Sequence, residues 1–217
     1  MKTGWRISKE GRYTYYCETD GRIVLGTPNE NEDQFQPLNG IQEYVVPAKL
    51  DSLTVRKVEG LHVPSCKLLR FEEGIEWIGL WGGRNTVFTK VVIPSSVKVI
   101  DTYCFSGSPE LEQIDIDCEY VGSYAFSGCK NLKNIHFGEN VKEIAAGAFY
   151  NCPALERVTL PKSLECLGYP DGSDREVFDP VFALCTGLKE VFVPKELNDI
   201  CKEPFPFGMC NAQIRMI

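Results

Sequence analysis

Ten cysteines and two histidines are the residues of this 217-residue chain with most potential for chemistry. A thiol can serve as nucleophile, metal ligand or disulfide partner, and an imidazole beside a carboxylate can act as a general base. Spacing narrows these options. Cys129, Cys152, Cys185 and Cys210 each follow a Phe by three residues (Phe126, Phe149, Phe182, Phe207), so four thiols share one recurring slot. Free Cys packs as a small buried hydrophobe, which makes the slot core; stacked disulfides or metal ligands are the competing readings. The chain has no CxxC, no HExxH and no acidic loop with calcium-ligand spacing, and Cys201 with Cys210 makes a poor zinc pair. No metal and no cofactor are expected. The LWGGRN stretch at 80–85 lacks the Lys and Ser/Thr of a phosphate loop and reads as a turn. His62 lies in a link containing Pro64, and His136 follows Asp115 by 21 residues. What that interval means depends on the elements that carry both.

Those elements repeat. The stretches IDIDCEYVGSYAFSGCKNLKNIHF (114–137) and FGENVKEIAAGAFYNCPALERVTL (137–160) share one arrangement of apolar strand, breaker, apolar pair, Phe, Cys and Leu. Strand ends at Val46, Phe71, Ile93, Ile116, Phe137, Leu160 and Val193 are separated by 25, 22, 23, 21, 23 and 33 residues. A period of roughly 20–29 residues is that of a leucine-rich-repeat solenoid, in which each unit stacks on its neighbours. The long interval contains an insertion at 168–179, GYPDGSDREVFD, whose composition is that of a surface loop. Within a strand the side chains alternate, so Ile135 and Phe137 face the core while Asn134 and His136 face solvent. Pro or Gly after the strand (Pro47, Pro94, Gly138, Pro161, Pro194) ends it.

Placing the repeats in register yields two outward columns. One holds Val45, Arg70, Val92, Asp115, His136, Thr159 and Phe192; the other, two residues earlier, holds Glu43, Leu68, Lys90, Gln113, Asn134, Arg157 and Glu190. Neighbouring strands lie about 4.8 Å apart, which brings His136 within reach of Asp115. An Asp-His pair could await a nucleophile, but no Ser or Cys fills the matching outward position of an adjacent repeat. A hydrolytic or thiol enzyme built on Asp115, His136 and the cysteines is therefore the lesser alternative, and the chain is expected not to be an enzyme. The expected binding residues are Arg70, Lys90, Val92, Asp115, Asn134, His136, Arg157, Thr159, Glu190 and Phe192 on the concave face. Tyr169, Asp171, Asp174 and Arg175 in the inserted loop are a second set.

The segment VVIPSSVKVIDTYCFSGSPELEQI (91–114), with the later AFSGC and AFYNC, resembles the BspA-like class of leucine-rich repeats. The resemblance covers about 44–217 and implies a single curved parallel sheet of about eight short strands. Residues 1–43 resemble the family's entry segment, with strands at Arg12–Cys17 and Arg22–Leu25 joined through ETDG as a β-hairpin cap, all in one structural unit. The last strand closes on Ile214 and Met216 or on Ile217 alone. For secreted members the resemblance implies adhesion or interaction with a host surface.

A formal charge of −7, with acidic and basic residues interspersed, disfavours nucleic acid, which needs a basic face. No apolar run is long enough to insert in a membrane. The start MKTGWRISKEGRYTYY has no apolar segment of the export type, which points to the cytoplasm, whereas the resemblance points to the cell surface. The expected partner is a protein or peptide, recognised without catalysis. A self-associating subunit, joined through its C-terminal coil, is the other alternative.

Overall fold

The computed structural model of the chain describes residues 6–7, 9, 14–17, 23–25, 42–60, 65–79, 87–168, 180–197, 210 and 212–217. The ETDG turn, His62, the 80–85 turn, inserted residues 169–179, Cys201 and Phe207 lie outside them. Three strands open the chain: β1 (Arg6–Ile7), β2 (Thr14–Cys17) and β3 (Ile23–Leu25). From there the chain winds between two faces, adding a strand to each in the coils from Glu43 to Gly168.

The first face carries β4 (Glu43–Val46), β7 (Leu68–Phe71), β9 (Lys90–Val92), β11 (Gln113–Ile116), β13 (Asn134–Phe137), β15 (Arg157–Thr159), β17 (Glu190–Val193) and β18 (Gln213–Met216). These are the eight short strands that the period predicts. Their burial alternates, as in β11, where Ile114 and Ile116 are buried and Gln113 and Asp115 exposed, because side chains on a strand leave on opposite sides. A second face, too short-stranded to be read from sequence, holds β5 (Lys49–Leu50), β6 (Leu53–Glu59), β8 (Trp77–Gly79), β10 (Val99–Ile100), β12 (Tyr120–Val121), β14 (Glu143–Ala145) and β16 (Cys166–Gly168). Here β6, β8, β10, β12, β14 and β16 pair in parallel, with β5 antiparallel to β6. Register aligns Val58, Ile78, Ile100, Val121, Ile144 and Leu167 as one buried column. The antiparallel pair β2–β3 continues this second ladder, with β3 parallel to β6.

A third wall is made by turns. Phe105, Phe126, Phe149 and Phe182 stack in register, with ring centroids 5.2, 5.3 and 5.5 Å apart. Outside them the backbone N–H groups of Tyr103, Phe105 and Gly107 donate to the carbonyls of Ser123, Ala125 and Ser127 in the next coil, and the pattern recurs from Tyr124, Phe126 and Gly128. Such a run needs left-handed backbone at two places per coil. The first holds Tyr103, Tyr124 and Gly147 at φ 55, 55 and 62°; the second holds Gly107, Gly128, Asn151 and Leu184 at 71, 73, 57 and 60°. At Gly147 the requirement is also spatial, since a Cβ would sit 2.5 Å from the Tyr124 ring that lies over it. The stacked phenylalanines run through the insertion without a gap, as does the pairing of Arg157 with Glu190. The stack is thus regular on both sides of the added residues, which lie in sequence between β16 and the outer turn that resumes at Pro180.

Candidate functional site

The two outward columns lie where register put them. Val45 pairs with Arg70 and Arg70 with Val92; Asp115 pairs with His136; Thr159 pairs with Phe192, which continues to Arg215. Glu43, Leu68 and Lys90 align beside them, as do Gln113 with Asn134 and Arg157 with Glu190 and Gln213. Arg70, Lys90, Asp115, Asn134, His136, Arg157 and Thr159 are exposed, while Val92, Glu190 and Phe192 are half-buried. Tyr169, Asp171, Asp174 and Arg175 are outside the described residues. Their anchors, Gly168 and Pro180, belong to the second face and the outer turn, away from the columns.

The first face is hydrogen-bonded in three groups: β4–β7–β9, β11–β13 and β15–β17–β18. Between β13 and β15 the strands are neighbours but exchange no ladder bonds. A surface depression spans this break. Asn134 and His136 line one side, Arg157 and Thr159 the other, with Ile135, Phe137 and Leu160 between them and Pro161, Pro194 and Ile217 at one end. Phe137 is partly open and packs its ring edge-on against Phe149, centroids 5.9 Å apart.

Charge is organised beside the depression. The Arg157 Nε lies 2.8 Å from one carboxylate oxygen of Glu190, and the Arg215 guanidinium lies 2.7 Å from the other. Glu190 is thus clamped across β15, β17 and β18, with its side chain only 17% exposed. That burial strengthens both charge-assisted bonds relative to an exposed pair. Arg157 enters the site already oriented. A second depression, lined by Arg157, Thr186, Leu188, Lys189, Glu190 and Gln213, opens on the other side of this clamp.

Asp115 and His136 stand side by side, yet among the described residues neither makes a hydrogen bond or an ion pair. No thiol joins them. Cys118 and Cys129 are core residues, each pushed up to about 12 by burial, and burial also raises Cys66. Cys152, beside the Cys185 sulfur and buried, is held well above the ordinary thiol value. Cys66, Cys104, Cys118, Cys129, Cys152, Cys166, Cys185 and Cys210 are free thiols, and no group of His, Cys, Asp or Glu among the described residues is arranged to hold a metal.

The recurring thiols do more than fill space. Cys129, Cys152 and Cys185 donate Sγ–H to the carbonyls of Phe105, Phe126 and Phe149 in the preceding coil, at 3.4, 3.3 and 3.1 Å. Ser108, fully buried, fills the same slot three residues after Phe105. Sequence reasoning missed Ser108 because only the thiols were tracked. It also missed Arg215, whose place depended on an unresolved final register, and the outer stack of Tyr103 on Tyr124, centroids 5.1 Å apart. The signal for that stack was present: Tyr recurs two residues before Phe105 and Phe126.

A family model for the BspA type leucine rich repeat region matches in six copies, over residues 63–170 and 117–214. No curated protein matches. Among solved structures, the leucine rich repeat protein of T. pallidum, TpLRR, is 18% identical with a TM-score of 0.52, covering 86% of this chain and 71% of that one. The pneumococcal vaccine antigen PcpA is 18% identical with a TM-score of 0.54, covering 96% of this chain and 48% of its own. The chain thus spans about half of PcpA, and at this identity both likenesses show the fold alone. The repeat count, the register of its strands and the matched model agree: this chain belongs to the BspA-type leucine-rich repeat family.

Proposed function

We propose that the chain recognises a protein or peptide through its first face, without catalysis, and that the depression across the β13–β15 break is the centre of contact. The observation that carries this is the convergence there of exposed Asn134, His136, Arg157 and Thr159 around the partly open Phe137, at a place where two strands leave each other's backbone unpaired. Asn and Thr offer donors and acceptors, Arg157 a charge fixed in advance, and Phe137 an apolar area to desolvate. Solenoids use such extended faces to bind folded or extended partners. Adhesion to a surface is the form of recognition most in keeping with the family. A net charge of −7 makes nucleic acid a poor partner. Catalysis has no place in this reading, since Asp115 and His136 lack a nucleophile and burial keeps the Cys118 and Cys129 thiols protonated.

The test begins with partners captured from displayed peptide and protein libraries. Replacing Asn134, His136 and Thr159 together by Ala is expected to weaken binding at least tenfold, about 1.4 kcal/mol. Lys57→Ala on the second face and Tyr103→Ala on the outer turns leave it unchanged. Equal affinity in all variants contradicts the reading.

A further inference from the structure

The second depression of the first face, across the clamp from the β13–β15 break, is rich in hydrogen-bond donors. Its volume is about 480 Å³, and Arg157, Thr186, Leu188, Lys189, Glu190 and Gln213 line it. Leu188 is buried, while Thr186, Lys189 and Gln213 are exposed. A hydroxyl, an ammonium, a side-chain amide and a guanidinium therefore surround one opening.

The carboxylate in this lining is already engaged. Glu190 meets Arg157 Nε at 2.8 Å and the Arg215 guanidinium at 2.7 Å, and its side chain is 17% exposed where that of Arg157 is 72% exposed. A guanidinium carries five N–H donors, so an Arg157 that meets Glu190 through Nε keeps its terminal amino groups for a ligand. Lys189 lies 3.1 Å from Glu156, but both side chains are well exposed, and such a pair holds its lysine weakly. Arg157, Arg215 and Lys189 against Glu156 and Glu190 leave a single positive charge at the opening. The outward positions of the whole face lean the same way, with Arg70, Lys90, Arg157 and Arg215 against Glu43, Asp115 and Glu190, in a chain whose formal charge is −7.

We propose that this depression is a carboxylate-binding subsite, which takes an Asp or Glu side chain of the peptide or protein held on the first face; this rests on the recognition reading and adds the partner's chemistry to it. The planar fork of Arg157, oriented by Glu190, matches the two oxygens of a carboxylate. Thr186, Lys189 and Gln213 supply donors for the remaining lone pairs. One negative charge balances the one positive charge of the site. A phosphate dianion would set excess negative charge beside Glu156 and Glu190, and a polynucleotide would bring a charge with every phosphate. Arg157 lines both depressions, so an acidic residue anchored here fixes how the rest of the partner crosses Asn134, His136 and Thr159.

Peptides selected on the wild-type chain from a random displayed library test this, each resynthesised with one Asp or Glu replaced by Asn or Gln. The selected peptides are expected to share an acidic position whose neutralisation weakens binding to the wild-type chain about tenfold. Against a chain carrying Thr186→Ala and Lys189→Gln, both at exposed positions, the same neutralisation is expected to cost less than about threefold, because two donors that read the charge are gone. Lys142→Gln, beside β14 of the second face, is expected to keep the wild-type difference. Selected peptides without an acidic preference, or a neutralisation that costs the same in all three chains, overturn the subsite while recognition through the first face stands. Displacement of a selected peptide by inorganic phosphate at lower concentration than by acetate, at constant ionic strength, overturns the assignment to a carboxylate. Tighter binding of a thymidine oligonucleotide than of every selected peptide does the same. If neither this library nor a displayed protein library yields a binder, the subsite and the recognition reading fall together.

Discussion

At the scale of single residues, the thiol slot shows how a repeat solves a local problem. The turn that carries each Phe leaves that residue's carbonyl facing the next coil, and a buried carbonyl without a partner costs about 1–3 kcal/mol. A Cys in the following coil supplies a donor small enough for the core, as Cys129 does for Phe105. Cys129→Ala should therefore destabilise the fold by about 1–3 kcal/mol, and Cys129→Ser should cost less, because a hydroxyl keeps the bond. Urea unfolding measures both; Ser costing more than Ala would reduce the thiol to a filler of space. The same burial predicts low reactivity. Peptide mapping after maleimide treatment at neutral pH should find Cys118, Cys129, Cys152 and Cys185 unmodified in the folded chain and modified once it is denatured. Rapid labelling of one of them would revive a thiol chemistry.

At the scale of elements, carboxylates bracket successive coils where the strands of the first face turn. Glu73 accepts from the N–H groups of Ser95 and Ser96 and from the Ser95 hydroxyl, and Asp117 accepts from the backbone and side-chain amides of Asn140. The Ser95 N–H chiefly holds the Glu73 carboxyl below its usual value. A depressed carboxylate contributes stability above its unfolded value, about 4.3, and loses it as pH falls through the lower folded value. Glu73→Gln is thus expected to melt a little below the wild type at pH 7, with the gap closing as pH falls below about 4; a gap independent of pH contradicts the role. These brackets were not legible in sequence, because Glu73 and Asp117 occupy the same turn with different residue types. The outward columns were legible, since two-residue alternation and a fixed period together determine register. The second ladder was not: strands such as Val99–Ile100 and Tyr120–Val121 are too short to show alternation.

At the scale of the whole molecule, the chain is a stack in which each coil chiefly meets its neighbours, so its core is set by repetition and its surface by what varies between repeats. The solenoid could be read from Phe-x-x-Cys and its period alone. The centre of the candidate site could not, because the ladder break between β13 and β15 and the clamp of Arg157 and Arg215 on Glu190 are properties of assembled coils. That clamp fixes Arg157 beside the depression through a partner on β17, whereas His136 and Asp115 make no side-chain bond among the described residues. Recognition through this face is the account's central claim, and hydrogen–deuterium exchange of the chain with and without a captured partner tests it most directly. The predicted result is added protection concentrated in β13, β15 and β17, with the second ladder and the outer turns unchanged. Protection confined to the second ladder or the outer turns, with the first face exchanging as in the free chain, would contradict it.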